Sequence, residues 1–236
     1  MKFARKILKQ KPSSKFNLQR TFSNNKKSLL TSEFISDRLY DKKDGYFSKK
    51  DAQLGFLEEP IVFSELFGYE EYMDILYKRY PKNAWLTPSE IFKPWYGMTI
   101  ANYICQTFEK AKKMTLSRDT QPLRIIEVGA GNGSAASSIL DYIKTFHPLK
   151  YKTMEYTIIE ISKEMVARSK KNLSKNHESK INSNHIKFEH QSIVDYNSYT
   201  KDFTFVLFLE VFDNMPHDRV YLVRIFNFFY LFIGRR

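Results

Sequence analysis

An α/β fold, with a Rossmann-like parallel sheet entered through a mostly helical amino-terminal segment, is predicted for this chain by three observations. Short apolar runs at 123–128, 156–159 and 203–209 are separated by longer stretches of helical periodicity. The glycine turn Gly129-Ala130-Gly131-Asn132-Gly133 follows the first run directly. A composition of 42% hydrophobic and 16% aromatic residues over 236 positions supplies one core, not a disordered tail.

The elements follow in chain order. Residues 1–32 hold nine lysines and arginines and no acidic residue, with Phe3, Ile7 and Leu8 spaced along one helix face, which is the composition of a mitochondrial transit peptide. Arg20-Thr21-Phe22-Ser23 resembles a processing site, and the expected compartment is the mitochondrial matrix; a disordered basic tail has the same composition. Because those nine account for most of the +12 net charge, the rest is nearly balanced, and no nucleic-acid surface is expected. A lone cysteine, Cys105, and five histidines without ligand spacing exclude a thiolate metal cage.

Residues 33–110 form the expected helical region, in which Phe63, Leu66, Phe67, Tyr72, Ile75 and Leu76 recur at helical spacing as core contacts. Thr87-Pro88-Ser89-Glu90 reads as a capping box with proline at the first helical position. The helix it starts is interrupted near Pro94 and Gly97 and resumes through Ile100, Tyr103, Ile104 and Phe108. The polar stretch 110–121 reads as a linker into a second domain, 121–236.

There the strand 123–128 runs into the glycine turn and a helix to about Phe146. A dinucleotide fingerprint needs a glycine where Ser134 stands; the G-x-G-x-G actually present, behind Glu127, suits S-adenosylmethionine, which has no pyrophosphate to seat. Glu127, Gly129, Ala130, Gly131 and Gly133 are the contacts expected from this turn. The second strand ends in Glu160, whose carboxylate can accept both ribose hydroxyls, or be a solvated strand end, and Ser162 caps a helix over 163–173. After a third strand, 186–190, Gln191, Ser192 and Ile193 stand where an adenine is read, with Asp195 as an alternative. The fourth strand, 203–209, leads to Glu210 and Asp213, which either grip and deprotonate an arginine guanidinium or only cap the next turn. The apolar run 220–233 reads as a buried helix or strand, too short and too polar at Arg224 and Asn227 for a transmembrane span.

Four blocks, Leu39-Tyr40-Asp41 with Gly45-Tyr46-Phe47-Ser48, Thr87 with Glu90-Ile91, Glu127 to Gly133, and Glu210 to Pro216, together resemble the MidA-like methyltransferase family. Its mitochondrial members include a complex I assembly factor that methylates arginine. The resemblance implies a class I methyltransferase sheet, S-adenosylmethionine as donor, and further donor contacts at Thr87 and Glu90. It also implies catalysis at Glu210 and Asp213 and symmetric dimethylation of arginine in a respiratory-complex protein substrate. Only 26 residues follow Glu210, so the sheet is expected to be incomplete, with its first four strands present and the chain truncated. A non-catalytic assembly or interaction protein that keeps half of the fold is the alternative.

Overall fold

Runs rich in isoleucine, valine and phenylalanine form the strands of the sheet in this structure, a computed structural model that describes residues 29–41, 43–48, 54–81, 84–115, 121–198, 202–225 and 228–233. The proposed targeting segment lies almost wholly outside the described residues. The larger of two compact units, Ser32–His217, includes both the amino-terminal segment and the sheet.

In that unit α1 (Thr31–Tyr40), α2 (Tyr69–Arg79), α3 (Pro88–Ile91) and α4 (Trp95–Thr115) precede the sheet. Strands β1 (Arg124–Val128), β2 (Glu155–Glu160), β3 (Ile186–His190) and β4 (Thr204–Phe208) are parallel, in the order β3-β2-β1-β4. The crossovers are α5 (Ser134–Phe146) with the short α6 (Pro148–Thr153), and α7 (Lys163–Asn182). Pairing of Val128 with both Ile159 and Phe208, and of Glu160 with His190, sets all four carboxyl ends along one edge. That edge is where ligands bind in open parallel sheets.

The core lies on one face of the sheet. Ile125, Tyr156 and Ile158 project together by the period-two rule and meet Ala101, Ile104, Cys105 and Phe108 of α4, Ala136, Ile139, Leu140 and Ile143 of α5, and Leu173 of α7. Burial pushes the Cys105 thiol up to about 11, so it is a packing group rather than a nucleophile. On the opposite face Val206 remains 48% exposed.

Several expectations need correction. The 63–76 stripe is not core: Phe63 lies in a short 3-10 turn, Phe67 is fully exposed, and no residue of α2 is buried. Phe63 instead packs on Tyr72 and Phe92 at the surface. The helical run breaks only at 92–94, between α3 and α4, and α4 runs unbroken through Gly97 to Thr115, into the expected linker. Gly97 serves contact instead: a Cβ there would come within 2.5 Å of the Ser138 Cβ and 2.9 Å of the Ala135 carbonyl on α5. Helix α7 continues nine residues beyond the predicted 173, to Asn182, across a kink at His177, where φ is −132°.

The second unit contributes, among the described residues, one hairpin: β5 (Val220–Ile225) pairs antiparallel with β6 (Phe228–Ile233). The tail is therefore two strands rather than one helix or strand, in keeping with its aromatic and β-branched residues.

Candidate functional site

The turn after β1 passes through three left-handed glycines, Gly129, Gly131 and Gly133, at φ 69°, 54° and 74°. A side chain is strained at such angles, which accounts for the G-x-G-x-G pattern. The Gly129 N–H extends the ladder to the Ile159 carbonyl at 2.8 Å, and the Gly133 N–H closes on the Ala130 carbonyl at 2.8 Å. The main chain is thus brought up at the end of β2. There Glu160, buried, accepts from the Gly131 N–H at 3.3 Å through Oε2 and from the Ser162 N–H at 3.0 Å through Oε1. Glycine turn and acidic strand end form one cradle. Burial raises the Glu160 carboxyl above its usual range, against the pull of the Ser162, Gly131 and Ile161 amides and of His190.

Two carboxylates lie beneath that turn. Glu127 is buried and its Oε2 accepts from the Tyr156 hydroxyl at 2.7 Å. Burial, opposed by this bond and reinforced by Glu160, pushes it up to about 7. Glu90, 2% exposed, has both oxygens engaged: Oε1 accepts from the Leu57 N–H at 2.7 Å and from Lys93 Nζ at 2.6 Å, and Oε2 from the Ser134 hydroxyl. The predicted capping box does not form, because Glu90 is drawn to these partners and Thr87 Oγ1 pairs with Ser89 Oγ at 3.1 Å. Thr87 still has the extended backbone of a cap position, followed by Pro88.

At the end of β4, Glu210 is exposed with φ 57°, a left-handed conformation unusual for a side-chain-bearing residue. Asp213 follows in the 3-10 turn Phe212–Asn214, and neither carboxylate caps that turn. The Asn214 side chain donates to the Glu210 carbonyl at 3.1 Å and to Asp213 Oδ1 at 3.4 Å. At the end of β3, Gln191, Ser192 and Ile193 are half-buried on the same sheet edge, and Ser192 Oγ accepts from the Val194 N–H at 3.3 Å. Asp195 is exposed.

Sequence reasoning missed the residues that roof the turn. Asn132, buried, donates to the Gly55 carbonyl at 2.8 Å, and the Gly55 N–H donates to the Trp85 carbonyl at 2.8 Å. Leu54 Cδ1 lies 2.8 Å from where a Gly131 Cβ would stand. Tyr40 donates its hydroxyl to the Asn214 carbonyl at 2.8 Å. The Gly55 and Asn132 pairing spans 77 residues, and nothing local in the sequence signals it.

A groove of about 420 Å³ lined by Trp95, Tyr96, Thr99, Ile100 and Leu209 adjoins Glu210 through Leu209. A hollow of about 450 Å³ borders β3 at Ile186, Lys187 and Phe188, towards the other end of the strands, and is not part of this site. Among the described residues no group of histidine, cysteine, aspartate and glutamate is placed to hold a metal ion, and no helix is long and apolar enough to cross a membrane.

The fold and site have relatives. Across residues 99–224, more than half of the chain, the sequence matches the family model described as "Putative S-adenosyl-L-methionine-dependent methyltransferase". The structure is similar to that of a COG1565 superfamily member from Burkholderia thailandensis bound to S-adenosyl-homocysteine, with 17% identity over 88% of this chain and 46% of that one, and a TM-score of 0.52. A native structure of a Burkholderia thailandensis COG1565 superfamily protein matches at 16% identity, over 89% of this chain and 44% of that one, with a TM-score of 0.47. The chain spans less than half the length of either. No curated protein matches it. The four-stranded parallel sheet with its helices is similar to class I methyltransferase folds, and the chain belongs to this S-adenosyl-L-methionine-dependent methyltransferase family.

Proposed function

We propose that the chain is a mitochondrial protein arginine methyltransferase of the MidA-like type, acting on a respiratory-complex subunit during assembly. The observation that supports a donor site here is the contact between the Gly131 N–H and the Glu160 carboxylate, where bare main chain meets an acid able to accept ribose hydroxyls. Glycines that leave room for close approach, with a carboxylate able to accept two hydroxyls, fit the nucleoside part of S-adenosylmethionine. When bound, this donor supplies a methyl group on a positively charged sulfur. Gly129, Ala130, Gly131 and Gly133 line its amino-acid and ribose portions, and Glu160 holds the ribose diol. Gln191, Ser192 and Ile193 bound the adenine. Glu90 holds Ser134, the first helical residue after the turn, and Glu127 holds Tyr156 of β2, so both support the turn rather than line the donor, and Thr87 opens α3 beside Glu90.

Glu210 and Asp213 are the acceptor carboxylates. Both are exposed at the ligand edge, and a guanidinium offers a planar fork of donors that carboxylates match. As the methyl group moved to a guanidinium nitrogen, the S–CH3 bond would break with its electron pair returning to the sulfur, and Glu210 or Asp213 would take the proton that the nitrogen loses. Catalysis is then mainly positioning and charge stabilisation. Mitochondrial import rests on the basic, acid-free residues 1–32.

Methyl transfer from labelled S-adenosylmethionine to glycine- and arginine-rich peptides, with lysine-for-arginine peptides as controls, tests the acceptor. Labelled symmetric dimethylarginine is expected; label on neither peptide, or on both equally, overturns the arginine assignment. A reporter carrying residues 1–32 should enter mitochondria, and its retention in the cytosol overturns the localisation. A second reading, a non-catalytic assembly protein, is favoured by Leu54 packing over Gly131, where a donor would approach. Survival of the cellular role in Gly131→Leu, with no methylation of the partner, would decide for it.

A further inference from the structure

Two amino-terminal pieces, residues 43–48 together with Tyr40 and residues 54–57, meet the ligand edge of the sheet at separate points. At one, Leu54 packs over Gly131, and the Gly55 carbonyl accepts from Asn132 at 2.8 Å. At the other, Tyr40 donates to the Asn214 main-chain carbonyl at 2.8 Å across 174 residues of sequence. Ring contacts connect the two: Tyr40 packs on Phe47 at 5.7 Å, Phe47 meets Tyr46 edge-on at 5.2 Å, and Tyr46 meets Trp85 at 6.3 Å. Trp85 pairs in turn with Leu54 and receives the Gly55 N–H.

The residue that Tyr40 grips is the hub of the acceptor turn. Asn214 is half-buried, and its side chain ties the Glu210 carbonyl and the Asp213 carboxylate into one unit. The same unit reaches the donor side, where Val211 Cγ2 lies 2.9 Å from a Cβ built on Gly129. A left-handed Glu210 is a conformation that its surroundings must hold in place.

We propose that Tyr40 is a positioning residue of the transfer site: through its hydrogen bond to Asn214 it fixes the 210–214 turn, and so the Glu210 and Asp213 carboxylates, relative to the Gly131–Glu160 cradle. This rests on the donor and acceptor assignments of the proposed function. The electrostatics agree with the placement, since the Tyr40 phenol is raised above its usual range by burial first and then by the fields of Glu160 and Asp213. Tyr40 touches neither reacting atom; it acts through the turn.

The experiment compares full-length wild type with Tyr40→Phe, which keeps the ring, and with Asn214→Ala, which keeps Tyr40 but removes the side-chain tie. Hydrogen–deuterium exchange of the 211–215 amides, calorimetric titration with S-adenosylhomocysteine, and methyl transfer to the arginine-rich peptide are the three readouts. In both variants exchange of those amides should quicken by about five- to tenfold, as the loss of one neutral hydrogen bond allows. The S-adenosylhomocysteine affinity should stay within about twofold, and kcat should fall about tenfold with an unchanged donor KM. Unchanged exchange at 211–215 in Tyr40→Phe overturns the inference while leaving the donor site standing. Parallel loss of donor affinity also overturns it, because Tyr40 would then belong to the cradle or the fold. A wild type that binds no S-adenosylhomocysteine overturns the donor reading and this inference with it.

Discussion

Glu127 is the residue whose chemistry depends most on its setting. Buried with a hydroxyl partner and near a second carboxylate, it has a carboxyl pushed up to about 7 from the usual 4.5. The folded chain therefore binds more protons than the unfolded chain between those values, so stability falls as pH rises through that window. Glu127→Gln keeps an acceptor for Tyr156 and removes the titration. Its stability relative to wild type should rise between about pH 5 and about pH 8, by up to roughly 3 kcal/mol. Urea unfolding at the two pH values measures this, and a gap that is constant or shrinking contradicts the assignment. At this scale the sequence was informative where chemistry needs a residue type at a fixed offset: the three glycines at every second position and the acid ending the next strand met as expected. It assigned no role to Leu54, nor to Tyr40 and Asn132, although both stand in motifs that it singled out, because their partners lie far along the chain.

Among the elements, α7 shows what a local reading can and cannot reach. Its start was legible because Ser162 is a common cap, and its hydroxyl does accept from the Met165 N–H at 3.4 Å. Ser162→Ala should cost about 1 kcal/mol and lower the thermal midpoint by a few degrees; no change would mean that the flanking packing alone sets this end. Its carboxyl-terminal part was not legible, since 174–182 is polar and shows no apolar stripe. Long-range partners hold it instead: buried His177 meets the Tyr151 hydroxyl at 2.8 Å, and Lys180 donates to the Lys152 carbonyl at 2.6 Å. Gly97 was legible as unusual but not for its reason, because a helical glycine marks either a break or a close neighbour, and only the neighbour decides. Gly97→Val should force α4 away from α5 and destabilise the protein by about 1–3 kcal/mol or more, as measured by denaturant midpoint. A midpoint equal to that of wild type would show that the helices are not in close contact there.

On the scale of the whole molecule, one face of the sheet is packed under helices, while on the other face exposure is concentrated at the edge strand β4. Helices α4, α5 and α7 bury Ile125, Tyr156 and Ile158, whereas on the other face Val206 of the edge strand β4 is exposed. Exposed apolar strand edges are association surfaces. Val206→Lys should therefore raise the recovery of monomeric protein in size-exclusion chromatography at little cost in stability. Unchanged association would place the sticky surface elsewhere. The shared ligand edge followed from setting the second strand beside the first, whereas the fourth strand, apolar enough for a central strand covered on both faces, is instead an edge strand with Val206 half exposed, because no further strand pairs with it among the described residues. The tail was harder, because a run that is apolar throughout has no period to distinguish helix from strand.

Calorimetric titration of the full chain with S-adenosylhomocysteine, run on wild type and on Glu160→Gln, tests the donor cradle most directly. One site per chain is expected, weakened about tenfold or more in the variant, because an amide leaves one ribose hydroxyl without an anionic acceptor. Absence of heat from folded wild type, or equal affinity in the two proteins, would contradict a cradle formed by the glycine turn and Glu160.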